Sequence, residues 1–275
     1  MYKNHLLKGA LLLTAAGVFS RIIGFFYRIF LSRTFGAEQM GIYELISPVL
    51  ALSFALCTSA IQSSISKFTA AEPEAAIYAK RRILLTGLSV SFVLSCLCTL
   101  FVWREADFIS DFLLKETRCA PLLKIAALSF PAACIHSCIN GYYYGMQKAR
   151  VPAFSQIAEQ ILRMIFVFAL ASFWTSQGII LTVHLAVLGH VAGEVASALF
   201  TLLCLLICPP STKSASKSSS KSGTQSDLQS PLPSQPNEDT DSFSACALPL
   251  IALALPLMGN RLVLNVLASA EAVWI

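Results

Sequence analysis

The sequence predicts an all-α, polytopic membrane protein with about seven transmembrane helices, and three observations predict it. Charged residues make up 13% of the 275 positions and hydrophobic residues 56%, whereas soluble domains are roughly a quarter charged. The charges gather in short segments. Between them lie apolar runs of about 20 residues or more, enough for a helix to cross a ~30 Å hydrocarbon core. Helices are the form such runs take, because lipid cannot satisfy a backbone N–H or C=O and a helix satisfies its own.

The runs are taken in order. The first, 9–31, follows Lys3 and Lys8. It is not a signal peptide, because it continues past Leu31 and is interrupted by Arg21 and Arg28. The second, 40–66, and the fourth, 119–145, contain Pro48 and Pro131, which are expected to bend them. Between them lies the third, 83–103. At the end of the fourth, Tyr142, Tyr143 and Tyr144 read as an interfacial aromatic belt. Gly141 and Gly145, four apart, permit close helix contact. The fifth and sixth runs are 152–174 and 179–207. Residues 209–244 are rich in Ser, Pro, Lys and Asp, and read as a disordered cytoplasmic linker with little to bury. The seventh run, 245–270, leads to Ile275 at the edge of an apolar span. The expected organisation is therefore a six-helix lobe (1–208), the linker (209–244), and a seventh helix (245–275) that starts a second half. With the N-terminus cytoplasmic, the inner segments hold eleven Lys and Arg and the outer segments four. That asymmetry sets the expected orientation in the cell membrane.

Composition also excludes function classes. The net charge of +5 comes without a concentrated basic patch interleaved with aromatics, so nucleic acid is not an expected partner. The nine cysteines lie mostly in apolar runs without a C-x-x-C pair, and read as small packing residues. In Cys134-Ile135-His136-Ser137-Cys138 the two thiols share a helical face and His136 points away, so no metal site is expected. No cofactor is implied. No nucleophile–base pair or phosphate loop appears, so an enzyme is not expected.

The informative residues are charges inside the apolar runs, where each costs about 2.5–3.5 kcal/mol on insertion scales and faces a bundle interior or a wet cavity. Arg21 and Arg28 are seven apart, close to two helical turns, and share one face of the first helix. That helix contains no acid. A cationic stripe of this kind suits an anionic substrate, since guanidinium forks bind phosphate bidentately. The alternative is that the two snorkel or pair with acids elsewhere. Arg261, beside Asn260, is a third substrate-binding candidate. Glu159 and Arg163 stand in the favourable i,i+4 order and read as a structural ion pair. His190 and Glu194 are also four apart. There a polar contact between helices and a proton relay are both open, and a coupling cation would be a further partner.

Three stretches together resemble a known family: GVFSRIIGFFYRIFLSRTFGAEQMGIYELISPV (17–49), GYYYGMQKARVPAFSQIAEQILRMI (141–165) and ALPLMGNRLVLNVLASAEAVWI (254–275). They are similar to the stage V sporulation protein B group of polysaccharide-biosynthesis membrane proteins. That group lies within the superfamily of multidrug, oligosaccharidyl-lipid and polysaccharide exporters. The resemblance implies a MATE-like bundle of about fourteen helices whose two lobes alternate access to a central cavity, this chain being the first lobe plus the seventh helix. It also implies flipping of undecaprenyl-pyrophosphate-linked sugars, or of a peptidoglycan precursor, for cell-wall or spore-cortex synthesis. The related lipid II flippases carry an F-S-R-x-x-G-F motif in the first helix, matched by Phe19-Ser20-Arg21-Ile22-Ile23-Gly24-Phe25. Their second arginine sits one residue before Arg28. Two other readings stay open: a cation-coupled multidrug exporter, and a non-transporting scaffold or inactive truncated membrane protein. The drug-exporting branch typically places an acid on the first helix, which this sequence lacks.

Overall fold

A computed structural model describes residues 2–73, 76–207, 247–260 and 263. Every long element among them is helical. Residues 2–54 trace as one helix except at Gly36, where φ is +79° and ψ 173°. Only glycine takes that conformation without steric cost, so Gly36 is where the path turns. Helix α1 is therefore 2–35, and α2 is 37–71 with a π-helical turn at Ala55–Ser59. The others are α3 (Ile77–Arg104), α4 (Cys119–Gly145), α5 (Arg150–Ser176), α6 (His184–Ile207) and the short apolar α7 (Ala247–Asn260). Five helical stretches are long and apolar enough to cross a membrane, the first being the 63-residue Gly9–Ala71. At 1.5 Å per residue that stretch is far longer than one crossing requires. With its break at Gly36 it supplies the first two spans. The chain is a multi-pass membrane protein. The 209–244 linker and Arg261 fall outside the described residues.

Of the two prolines expected to bend their helices, Pro131 coincides with a break and Pro48 does not. Pro131 has no N–H to offer the Ala127 carbonyl. The helical run divides at Leu128, which caps Ser129–Gly145. The hydroxyl of Thr99 on α3 donates to the Ala127 carbonyl over 3.1 Å, which replaces the lost bond. Pro48 lies within continuous helix, seven residues before the π turn. In that turn the Ser91 hydroxyl of α3 donates to the Cys57 carbonyl at 2.5 Å.

Three apolar clusters hold the bundle. One joins Ile42 and Ile46 of α2 to Leu122 and Phe130 of α4 and Val187 of α6. Another joins Ile61 and Ile65 of α2 to Leu84 of α3, Cys138 and Tyr142 of α4, and Leu250 of α7. The third packs Tyr27, Leu31 and Phe35 of α1 on Val167 and Ala171 of α5. A Cβ on Gly141 would lie 2.6 Å from the Gln62 carbonyl oxygen, so α2 and α4 touch backbone to backbone there. That contact corrects the reading of the tyrosines. Tyr142 and Tyr143 are 3% and 2% exposed, and Tyr143 donates to the Cys204 carbonyl of α6 at 3.4 Å. They are packing residues under α2 and α6, and Tyr144 alone shows a substantial exposed surface. Residue-by-residue spacing could not show that another helix covers this end of α4.

Candidate functional site

Charged groups occupy two regions of very different character. The first is the outer face of α1. Arg21 is exposed and has no ion-pair partner among the described residues, and large apolar side chains flank it. Phe19 is 51% exposed, Ile22 49% and Phe25 62%. Ser20 and Tyr27 point the other way and are buried, so α1 presents one face to the bundle and the arginine face away from it. Arg28 shares that open face and forms an ion pair with Glu44, which α2 brings back across the Gly36 break. The expectation of two unneutralised arginines therefore holds for Arg21 and not for Arg28: its acid comes from the next helix, not its own. A shallow depression of about 320 Å³ is lined by Phe25, Arg28, Ile29, Ser32 and Arg33. The corner is tied to α6 by Gln39, whose side-chain oxygen accepts the Val183 N–H at 2.8 Å.

The second region lies between α4, α5 and α6. Arg163 and Glu159 pair at 2.5 Å with side chains 14% and 17% exposed. Glu194, four residues from His190, does not pair with it. The Glu194 carboxylate meets His136 instead, Oε2 to Nδ1 at 3.3 Å, with side chains 9% and 14% exposed. The two atoms approach without the alignment of a hydrogen bond, and both lack a hydrogen-bond partner. So do Tyr27 Oη, Asn140 Oδ1, Arg163 Nε and His190 Nε2. Native interiors leave few such atoms, so six in one place are informative.

Two glycines create this region. Gly189 and Gly193, one turn apart on α6, let α5 approach closely. A Cβ on Gly193 would lie 2.8 Å from Arg163 Nε, and one on Gly189 2.2 Å from Val167 Cγ2. Ser155 and Ser197 hydrogen-bond across the same seam at 2.9 Å. Sequence reasoning missed Gly189, Gly193, Tyr27 and Asn140 here, and set His136 aside. The Gly189-x-x-x-Gly193 spacing was a readable sign of a close helix contact. Nothing in the spacing brings His136 to Glu194, 58 positions later. Among the described residues no three His, Cys, Asp or Glu side chains are grouped to hold a metal ion.

Comparison with known proteins places this geometry in a family. The chain is 32% identical over 194 residues to stage V sporulation protein B of Bacillus subtilis (strain 168), a match over 70% of this chain and 37% of that one. It is 23% identical over 192 residues to sporulation protein YkvU of the same organism, covering 68% of this chain and 42% of that one. To lipid II flippase MurJ of that organism it is 25% identical over 175 residues, 60% of this chain and 32% of that one. The chain thus spans between about a third and two fifths of these relatives' length. No solved structure matches it. The family model for polysaccharide biosynthesis proteins matches residues 6–231, from the first turns of α1 through the whole of α6, and the chain belongs to that family.

Proposed function

We propose that the chain forms the first lobe of a transporter that flips a lipid-linked, anionic sugar intermediate across the cell membrane. The single observation that carries this reading is Arg21. A charge of this depth in an apolar helix is expensive, yet no acid offsets it among the described residues. It sits on the face of α1 turned away from the lobe's own packing. A face left open by its own bundle and carrying an unneutralised guanidinium suits a cavity that closes only around a ligand. A pyrophosphate linked to a polyprenyl chain fits both halves of that surface, the fork for the phosphate and the phenylalanines for the lipid. The relatives support the class, one of them being a lipid II flippase by name. Arg28 then contributes through its pair with Glu44, either as a second phosphate contact or as a brace for the helix. Arg261 remains a further candidate contact. Residues 1–208 make the lobe, 209–244 a cytoplasmic linker, and 245–275 the start of a second lobe, with the N-terminus inside.

The test is complementation of a flippase-deficient strain by the protein as its gene encodes it. Arg21→Ala is expected to abolish complementation at unchanged membrane levels, and Arg21→Lys, which keeps charge but loses the fork, to retain part. Full complementation by Arg21→Ala would end the substrate role. Loss of the protein from the membrane would instead make Arg21 a structural residue.

A further inference from the structure

The α4–α5–α6 region contains more acid than its fixed cations can neutralise. Its groups come from every described element packed there. Tyr27 comes from α1, Tyr43 from α2, His136 and Asn140 from α4, Glu159 and Arg163 from α5, and His190 and Glu194 from α6. Arg163 is the single permanent cation among them. It is already committed to Glu159 at 2.5 Å, and that pair is neutral. Glu194 is then a second carboxyl group, nine-tenths buried, whose nearest neutralising group is an imidazole at 3.3 Å.

Two arrangements keep the cluster neutral. In one, a proton sits on His136 and the interior holds two anions and two cations. In the other, the proton sits on Glu194 and the interior holds one ion pair and neutral groups. Each additional buried ion costs several kcal/mol of desolvation, and a cationic His136 would face the Arg163 cation as well. The second arrangement is the less costly. It also gives the unpartnered Glu194 Oε2 and His136 Nδ1 a use for each other at 3.3 Å, since a small turn of the ring would align a carboxylic O–H on the former with the lone pair of the latter.

We propose that the lobe binds one exchangeable proton on Glu194, against His136, and that release of this proton moves Arg163 from Glu159 toward Glu194. In the step the Glu194 O–H bond breaks, and the proton passes to the lone pair of His136 Nδ1 and on to water. The carboxylate left behind is a new acceptor for the Arg163 guanidinium, whose Nε has no partner in the protonated state. Gly193 leaves Arg163 room to reach it, since no side chain stands between that stretch of α6 and the guanidinium. Arg163 thus has two carboxyl groups to choose from, on two different helices, and the proton decides between them. The inference rests on the geometry of this lobe and does not require a lipid-linked substrate.

Infrared spectroscopy of the protein in lipid vesicles reads the proton directly, through the carboxylic acid C=O stretch, separate from carboxylate bands. At neutral pH the wild type is expected to show such a band. Glu194→Gln is expected to remove it, and alkaline titration of the wild type to abolish it. Glu159→Gln gives the sharper result: Arg163 is then left with Glu194 alone, so the band is expected to vanish at neutral pH. Absence of a Glu194 acid band in the wild type at neutral pH, or a ¹⁵N spectrum with His136 as imidazolium, overturns the proton site. An undiminished band in Glu159→Gln overturns the movement of Arg163. The titration of the wild type needs no variant, so the proposal remains testable if either substitution fails to insert.

Discussion

Arg21 and Arg163 are the same residue type in apolar helices of similar length, and the protein treats them in opposite ways. Arg163 is enclosed: a carboxylate one turn away, two glycines that let the next helix close over it, and five further polar groups around it. Arg21 is left on an open face among exposed phenylalanines. The difference teaches that burial cost alone does not identify a ligand-binding charge. What distinguishes the two is whether the rest of the chain has provided a partner. An enclosed arginine answers to its own helices, and an open one answers to something else.

The largest effect that would break this comparison is on stability. Arg163→Leu leaves the Glu159 carboxylate buried without its cation, and is expected to cost about 3–5 kcal/mol. Arg21→Leu is expected to cost nothing. Thermal unfolding in detergent, followed by circular dichroism, separates them. Exchanging the charges, Glu159→Arg with Arg163→Glu, should recover part of what either single reversal loses.

Next in size is a glycine contrast. Gly193→Ala drives a methyl group against the Arg163 guanidinium and should cost about 1–3 kcal/mol. Gly24→Ala on α1, where nothing lies within 4 Å of the added carbon, should stabilise by up to about 1 kcal/mol through helix propensity. The same measurement reads both, and equal signs would remove the distinction between the faces.

Smaller again is the exposed Arg28–Glu44 pair. Glu44→Gln should cost about 0.2–1 kcal/mol and less at high salt, as for ion pairs open to water. A much larger loss would mean that this corner faces lipid instead of a wet cavity.

The smallest effect concerns the surface group of Arg118, Glu116 and Glu38, paired at 2.8 and 2.7 Å. The Arg118 guanidinium holds the Glu116 carboxyl below its usual range, and the same contacts raise Arg118 further. Because Glu116 is depressed in the folded state, its contribution is complete above the ordinary carboxylate range. It is lost as pH falls through the lowered value. Melting temperatures from neutral pH to about pH 3 should therefore fall slightly more for the wild type than for Arg118→Ala.

The helices were legible because lipid imposes one rule on every residue of a span, and apolar runs of the required length show it directly. The Glu159–Arg163 contact was legible because it lies within one turn. Helix partners distant in sequence were not. Glu44 meets Arg28 only because Gly36 turns the chain, and His136 meets Glu194 only because α4 and α6 pack. Tyr142 and Tyr143 suggested a belt because aromatic residues at a helix end commonly lie at an interface, and the covering helices leave no trace in that spacing. The ends of α6 and α3 also differ from the expected 179–207 and 83–103. α3 extends from Ile77 to Arg104, because polar residues continue a helix beyond its apolar stretch, whereas α6 starts only at His184, and the mostly apolar residues 179–183 before it are not helical.

The turn at Gly36 has a mechanical consequence. Two membrane-length arms that meet at one residue have no slack between them, so a displacement of α1 at this corner must pull on α2. The Arg28–Glu44 pair crosses the angle like the strut of a bracket, and Gln39 bolts the bracket to the start of α6. Neutralising Glu44 would loosen the strut. Lengthening the corner by a few residues would leave both arms able to insert while cutting the linkage between them.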